Sequence, residues 1–207
     1  MEIIPAILTD KSDEIIEKLS QLEGLHLTPQ IDFMDGKFVP SISLMPEHLP
    51  LSLKQKSWEA HLMVSDPVAW SARLYGYGCR RIYWHVETMW QTSLPLSSSR
   101  VEHGIALRLE TSIDAIEPHA ERTENILLMG IAKPGYQGEK FDERVYDKIA
   151  AVHKRYPRKL ITVDGGVKLE HMKPLANLGV SRVVVGSAFW QFGDVKATLA
   201  SFRQATL

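Results

Sequence analysis

Two polar side chains, two residues apart, open the stretch QIDFMDGKFVP, Gln30 to Pro40. In an extended segment alternate side chains point to opposite faces, so Gln30 and Asp32 share one face while Ile31 and Phe33 share the other. Met34, Asp35 and Gly36 carry turn chemistry, which ends the strand and places the polar pair near its carboxyl end, where β/α folds keep their chemistry. Standing alone, such a strand is equally well read as half solvated. Three further residues have the types to work with this pair: His61 and His85, each in an apolar run, and Asp164, directly before Gly165 and Gly166. A lone histidine in such a run also serves as a hydrogen-bonded core residue, and an aspartate before two glycines also makes an Asx turn. Brought together at one end of a fold, two buried carboxylates require a cation or a shared proton, because unpaired buried charge is costly. That pattern suits proton transfer, metal binding, or both.

Glycine marks a second kind of chemistry. Lys133, Pro134, Gly135, Tyr136, Gln137, Gly138 follow one apolar run, Asp164, Gly165, Gly166 the next, and Gly186, Ser187 the last. Glycine lets backbone amides approach an anion and adopt positive φ, and the last loops of a β/α barrel are its usual phosphate site. One glycine pair is ordinary loop composition, whereas three on consecutive loops point to an anionic ligand.

The elements that must position these residues alternate along the chain. Strand-like runs occur at Glu2 to Leu8, Gln30 to Phe33, Trp58 to Val64, Arg81 to Val86, His103 to Leu109, Asn125 to Ala132, Leu160 to Val163 and Arg182 to Val185. Between them lie helical stripes: Ile15, Leu19, Leu22; then Phe141, Val145, Ile149, Val152; then Leu169, Met172, Leu175, Leu178; and finally Val195, Leu199, Phe202. Asp66 and Pro67 supply a cap and a first-turn proline for a helix to about Tyr75, ended by Gly76 and Gly78, and Ser112 caps a short helix to about Ile116. Pro40 to Pro50 is too rich in proline for a long helix, and Thr88 to Arg100 is weakly patterned. Eight strands, each followed by a helix or loop, predict an α/β fold: a single eight-stranded parallel β/α (TIM) barrel forming one domain over residues 1–207.

Composition narrows the partners. With 24 basic and 25 acidic residues and a formal charge of −1, the chain has no basic excess for a nucleic-acid backbone or an anionic membrane. Cys79 is the only cysteine, which excludes an intrachain disulfide and a thiolate cluster and fits a reducing compartment. No apolar run approaches the length of a membrane span, and no secretory signal precedes the first strand. The expectation is a cytoplasmic protein, homo-oligomeric, that binds a small molecule.

In order and spacing, the segments IPAIL, IDFMDGKFVP, AHLMV, HVE, KPGYQG, VDGGV and VVGSA resemble the ribulose-phosphate 3-epimerase family, whose close relatives are the allulose-phosphate 3-epimerases. The resemblance covers nearly the whole chain and implies a barrel isomerase that interconverts ketose phosphates epimeric at carbon three, such as ribulose 5-phosphate and xylulose 5-phosphate. It implies that Asp32 removes the carbon-three proton from one face and that Asp164 returns a proton to the other. It implies a divalent metal ion (zinc, manganese, magnesium or iron) on Gln30, Asp32, His61 and Asp164. Substrate and phosphate contacts are implied for His61, Gly135, Tyr136, Gln137, Gly138, Gly165, Gly166, Gly186 and Ser187.

The departures from the family pattern are equally specific. Gln30 stands where the family has a metal-binding histidine and Ala6 where it has a substrate-contacting serine; Gly130 is taken to replace a methionine that closes the sixth strand over the site. An amide oxygen suits magnesium or manganese better than zinc. Were the metal lost, the two aspartates would repel and share one proton, with Arg108 and Lys133 as sources of positive charge. A non-catalytic or regulatory paralogue that still binds a sugar phosphate is the alternative these departures leave open.

Overall fold

The computed structural model describes residues 1–89, 92–98, 100–136 and 138–207. Eight strands form a closed parallel barrel in chain order: β1 (Glu2–Ile7), β2 (Gln30–Met34), β3 (Trp58–Met63), β4 (Cys79–His85), β5 (Glu102–Leu107), β6 (Asn125–Met129), β7 (Leu160–Asp164) and β8 (Arg182–Val185). β8 returns to β1, with Ile4 beside Val184, and closes the ring. Around it stand α1 (Ser12–Gln21), α2 (Pro67–Leu74), α3 (Arg144–Arg155), α4 (Leu169–Asn177), the short α5 (Ser187–Trp190) and α6 (Val195–Gln204). The predicted α/β barrel is the observed one.

Local chemistry explains the helix starts. The Asp66 side chain accepts from the Ala69 amide at 3.0 Å with Pro67 in the first turn, and Asp194 caps α6 through the Ala197 amide at 2.9 Å. Val145, Ile149 and Val152 bury one face of α3 against the barrel. In α4 only Met172 and Leu175 are buried; Leu169 lies at the exposed first turn. The short helix expected after Ser112 is a 3₁₀ segment, Ile113–His119, with Pro118 inside it.

Strand alternation divides the core in two. One large apolar cluster, including Ile7, Phe33, Leu62, Trp84, Ile126 and Val163, packs between barrel and helices. Smaller clusters of the opposite parity fill the barrel itself: Ile4, Ala6 and Val184 on one side, and Tyr83, Ala106, Leu127, Met129 and Ile131 on the other. Low in the barrel, Arg182 donates to Asn125 Oδ1 at 2.8 Å and to the Tyr83 hydroxyl at 3.3 Å, while Tyr83 also meets Thr162 at 3.1 Å. Arg81 pairs with buried Glu59, whose carboxyl is pushed up to about 7 by burial against the pull of the guanidinium. This polar floor leaves the opposite, carboxyl-terminal end of the strands open to the site.

Candidate active site

Parallel register fixes who meets whom above that floor. Ala6 lies beside Gln30, Asp32 beside His61, and Met129 beside Asp164. All four expected metal ligands, Gln30, Asp32, His61 and Asp164, converge. Gln30 is fully buried and its carboxamide nitrogen donates to Asp32 Oδ1 and to Asp164 Oδ2, each at 2.8 Å. Its Oε1 is buried without a partner. His61 Nδ1 lies 3.0 Å from Asp164 Oδ2 and 3.7 Å from Asp32 Oδ1. The shorter contact has the length of a charge-assisted hydrogen bond but not its direction, so this ring nitrogen points squarely at neither oxygen.

On its far side, His61 Nε2 meets His85 Nε2 at 2.9 Å, and His85 Nδ1 meets Glu87 Oε2 at 2.9 Å. The Phe38 ring covers His85 at 4.7 Å between centroids, and the Arg108 guanidinium stacks on Phe38 at 4.0 Å while donating to its carbonyl at 2.7 Å. Glu87 Oε1 accepts from the Arg108 amide at 2.8 Å and from the Thr111 hydroxyl.

The environment sets the protonation of each group. Burial raises the Asp32 carboxyl above the ordinary range and the neighbouring Asp164 adds to the shift, against the pull of His61 and Gln30. For His61, burial works against the charged form, but the two carboxylates outweigh it and lift the imidazole to about 9. Burial pushes His85 down to about 4, with Glu87 opposing and His61 assisting. Glu87 is held at about 2 because its hydrogen bonds overcome its burial.

Asp32 and Asp164 form the floor of a pocket at the barrel mouth, walled by Ala6, Leu8, Met63, Met129 and Ile131. Gly135, Tyr136, Gly138, Gly165, Gly166, Gly186 and Ser187 line its upper part. His61 and Gln30 lie behind the carboxylates and do not line it, so His61 has no direct access to a ligand there. Gln137 lies outside the described residues. Gly166 is fixed by geometry: its φ is +69°, and a Cβ would stand 2.5 Å from the Phe141 amide nitrogen.

Met129, not an absent methionine, closes the sixth strand over the site. β6 ends at Met129, which lines the pocket with Met63, whereas Gly130 faces away and a Cβ on it would lie 2.7 Å from the Gly165 carbonyl. Arg108 is engaged with Phe38, and Lys133 is exposed; neither lines the pocket. The cation among the described lining residues is instead Lys168, which shares the pocket with the carboxylates Asp32, Glu139 and Asp164. Sequence reasoning missed Lys168 and Glu87. The signal for Glu87 was present: His85 and Glu87 are two residues apart, like Gln30 and Asp32.

Asp32, His61 and Asp164 place one ligand atom each within 4.8 Å of one another, all buried. With an imidazole nitrogen aligned to neither oxygen, this is a group able to hold a metal ion.

A closed parallel barrel with a buried carboxylate and histidine centre under glycine-lined loops defines a β/α-barrel protein with a polar site at the carboxyl ends of its strands. The model of the ribulose-phosphate 3-epimerase family matches residues 2–190, and the chain belongs to that family. Ribulose-phosphate 3-epimerase of Aquifex aeolicus is 29% identical, over 85% of this chain and 83% of its own. The enzyme named as the cytoplasmic isoform in Oryza sativa subsp. japonica is 27% identical over 84% and 80%. The Mycobacterium bovis epimerase is 26% identical over 98% and 91%. Among solved structures, 3-hexulose-6-phosphate synthase of Salmonella typhimurium shares the fold with a TM-score of 0.69 at 14% identity, covering 100% of this chain and 98% of that one.

Proposed function

We propose that this chain is a ketose-phosphate 3-epimerase acting on a substrate such as ribulose 5-phosphate, through Asp32 and Asp164. The observation that carries this reading is the placement of two carboxylates from β2 and β7 on one pocket floor, beneath three glycine-bearing loops. Removing a proton beside a ketone requires a base in contact with carbon three, and inversion requires an acid on the opposite face. Asp32, with its raised affinity for protons, takes one role, and Asp164 takes the other. Gly138, Gly166, Gly186 and Ser187 bind the phosphate through backbone amides, with Lys168 adding charge at the rim. Ala6, Met63 and Met129 exclude water from the reacting carbon.

Gln30 completes the ligand set for a divalent cation when its carboxamide makes a half-turn, which points the orphaned Oε1 at the carboxylates. Asp32, His61, Asp164 and Gln30 would then offer three oxygens and one nitrogen, a set that suits manganese, magnesium or iron more than a thiolate-type zinc site. Such an ion supplies positive charge beside the developing enediolate. A cytoplasmic setting belongs to the same proposal, supported by the naming of the rice relative.

The test is exchange of the carbon-three proton of ribulose 5-phosphate in deuterated water. Native protein should incorporate deuterium and form the epimer; Asp32→Asn and Asp164→Asn should each lower the rate by about 10²- to 10⁴-fold while phosphate-dependent binding persists. Binding without exchange in the native protein would replace the epimerase with the non-catalytic paralogue.

A further inference from the structure

The motif His85-Val86-Glu87 has no contact with the pocket, yet its two ionisable side chains are joined to the centre of the site. Glu87 and Thr111, with the Arg108 amide, fix the direction of every proton in this chain of contacts. Glu87 Oε1 already accepts from the Arg108 amide and Thr111, and the carboxylate has only acceptors to offer. The 2.9 Å contact to His85 Nδ1 therefore needs the hydrogen on that nitrogen. In a neutral imidazole the other nitrogen is then a lone pair, so the 2.9 Å contact between His85 and His61 is filled by a hydrogen on His61 Nε2. The setting of His85 keeps it neutral: it is fully buried, covered by the Phe38 ring, with the Arg108 guanidinium stacked beyond.

We propose that Glu87 and His85 are positioning residues that lock the proton of His61 on Nε2 and so keep His61 Nδ1 as the atom presented to Asp32 and Asp164. Whether Nδ1 carries a proton or faces a cation, Nε2 keeps its hydrogen, and the ring cannot turn over without breaking a buried contact. The inference deepens the proposed site but rests on the geometry of the buried contacts, so it holds or fails independently of turnover.

The test is nuclear magnetic resonance of protein labelled with nitrogen-15 in histidine. The native protein should show one slowly exchanging imidazole proton bonded to His61 Nε2, with a nitrogen–nitrogen coupling across the hydrogen bond to His85 Nε2. His85→Phe keeps the ring and its packing but has no acceptor, and should lose both the protection and the coupling. His85→Gln places an amide oxygen near the former Nε2 and should restore the protected proton. Calorimetric titration with Mn²⁺ should show about 10- to 100-fold weaker binding for His85→Phe, with His85→Gln recovering most of it. A shared proton found on His85 Nε2 in the native protein would overturn the proposal even if neither variant folds. So would a His85→Phe protein with native Mn²⁺ affinity.

Discussion

Gln30 is the residue on which the centre turns, and Gln30→Met tests what it contributes. Methionine keeps the length and unbranched shape of the side chain and removes both amide atoms. Two hydrogen bonds to carboxylates, each 2.8 Å long, disappear. Hydrogen bonds to charged groups contribute about 1.5–3 kcal/mol each, so their loss costs about 3–6 kcal/mol. Against this, the substitution relieves Oε1, which is buried without a partner, and such an orphan costs about 1–3 kcal/mol. Taking low ends and high ends together, the net loss is about 2–3 kcal/mol in the absence of metal, or roughly 4–12 °C in midpoint for a chain of this size. The assay is thermal unfolding in chelator, native against variant, repeated at increasing Mn²⁺. Chelated variant within about 1 °C of native would refute the reasoning, because the amide would then not be what holds the two carboxylates together. Added Mn²⁺ stabilises each protein according to its own affinity, so the change in the gap reports how much Gln30 adds to cation binding.

Three further outcomes follow from the same geometry. Gln30→His should increase Mn²⁺ and Zn²⁺ affinity, read by calorimetry, because an imidazole lone pair replaces an amide that now presents its donor to both carboxylates. Gly166→Ala should destabilise by about 2 kcal/mol or more in urea unfolding, since it combines a positive φ with a Cβ at 2.5 Å from backbone; Gly138→Ala, with positive φ but open space, should cost only about 1 kcal/mol. Glu87, held at about 2 against an ordinary 4.5, contributes stability that is complete above pH 4.5 and is lost as the pH falls towards 2, up to about 3 kcal/mol. Glu87→Gln should flatten the urea midpoint between pH 5 and pH 3; an unchanged slope would show that Glu87 does not titrate as its contacts require.

Much of this was legible because the signals were periodic and local. Period-two alternation placed Gln30 and Asp32 on one face of β2, and the barrel's parallel register then had to bring them beside His61 and towards Asp164. What was not legible lay one residue or one loop away. The family pattern puts Gly130 at the position that closes β6, but counting parity from Leu127 makes Met129 the inward residue and Gly130 an outward one. Glu87 carries no role in the sequence beyond its place in the segment HVE, because its burial depends on Arg108 and Thr111, more than twenty residues later, folding over it. Leu169 fitted a helical stripe yet is exposed, since the first turn of α4 projects past the apolar layer. Periodicity reports which face a residue takes, not what the next loop lays upon that face.

The ring closes between β8 and β1, and the site straddles that seam: Asp32 stands one strand to one side of it and Asp164 one strand to the other. The bond from Gln30 to Asp164 spans 134 residues, among the most distant pairings the chain makes. Contacts of such separation form late, because the loop they close must be ordered before they repay its entropy. During synthesis an emerging chain can assemble β2 to β6 as a curved sheet with His61, His85 and Glu87 already in place. Its two carboxylates remain apart until Arg182 to Val185 arrive and pair with Glu2 to Pro5. An incomplete copy of this protein therefore lacks the bridge from Gln30 to Asp32 and Asp164, and the convergence of these buried side chains belongs only to the closed ring.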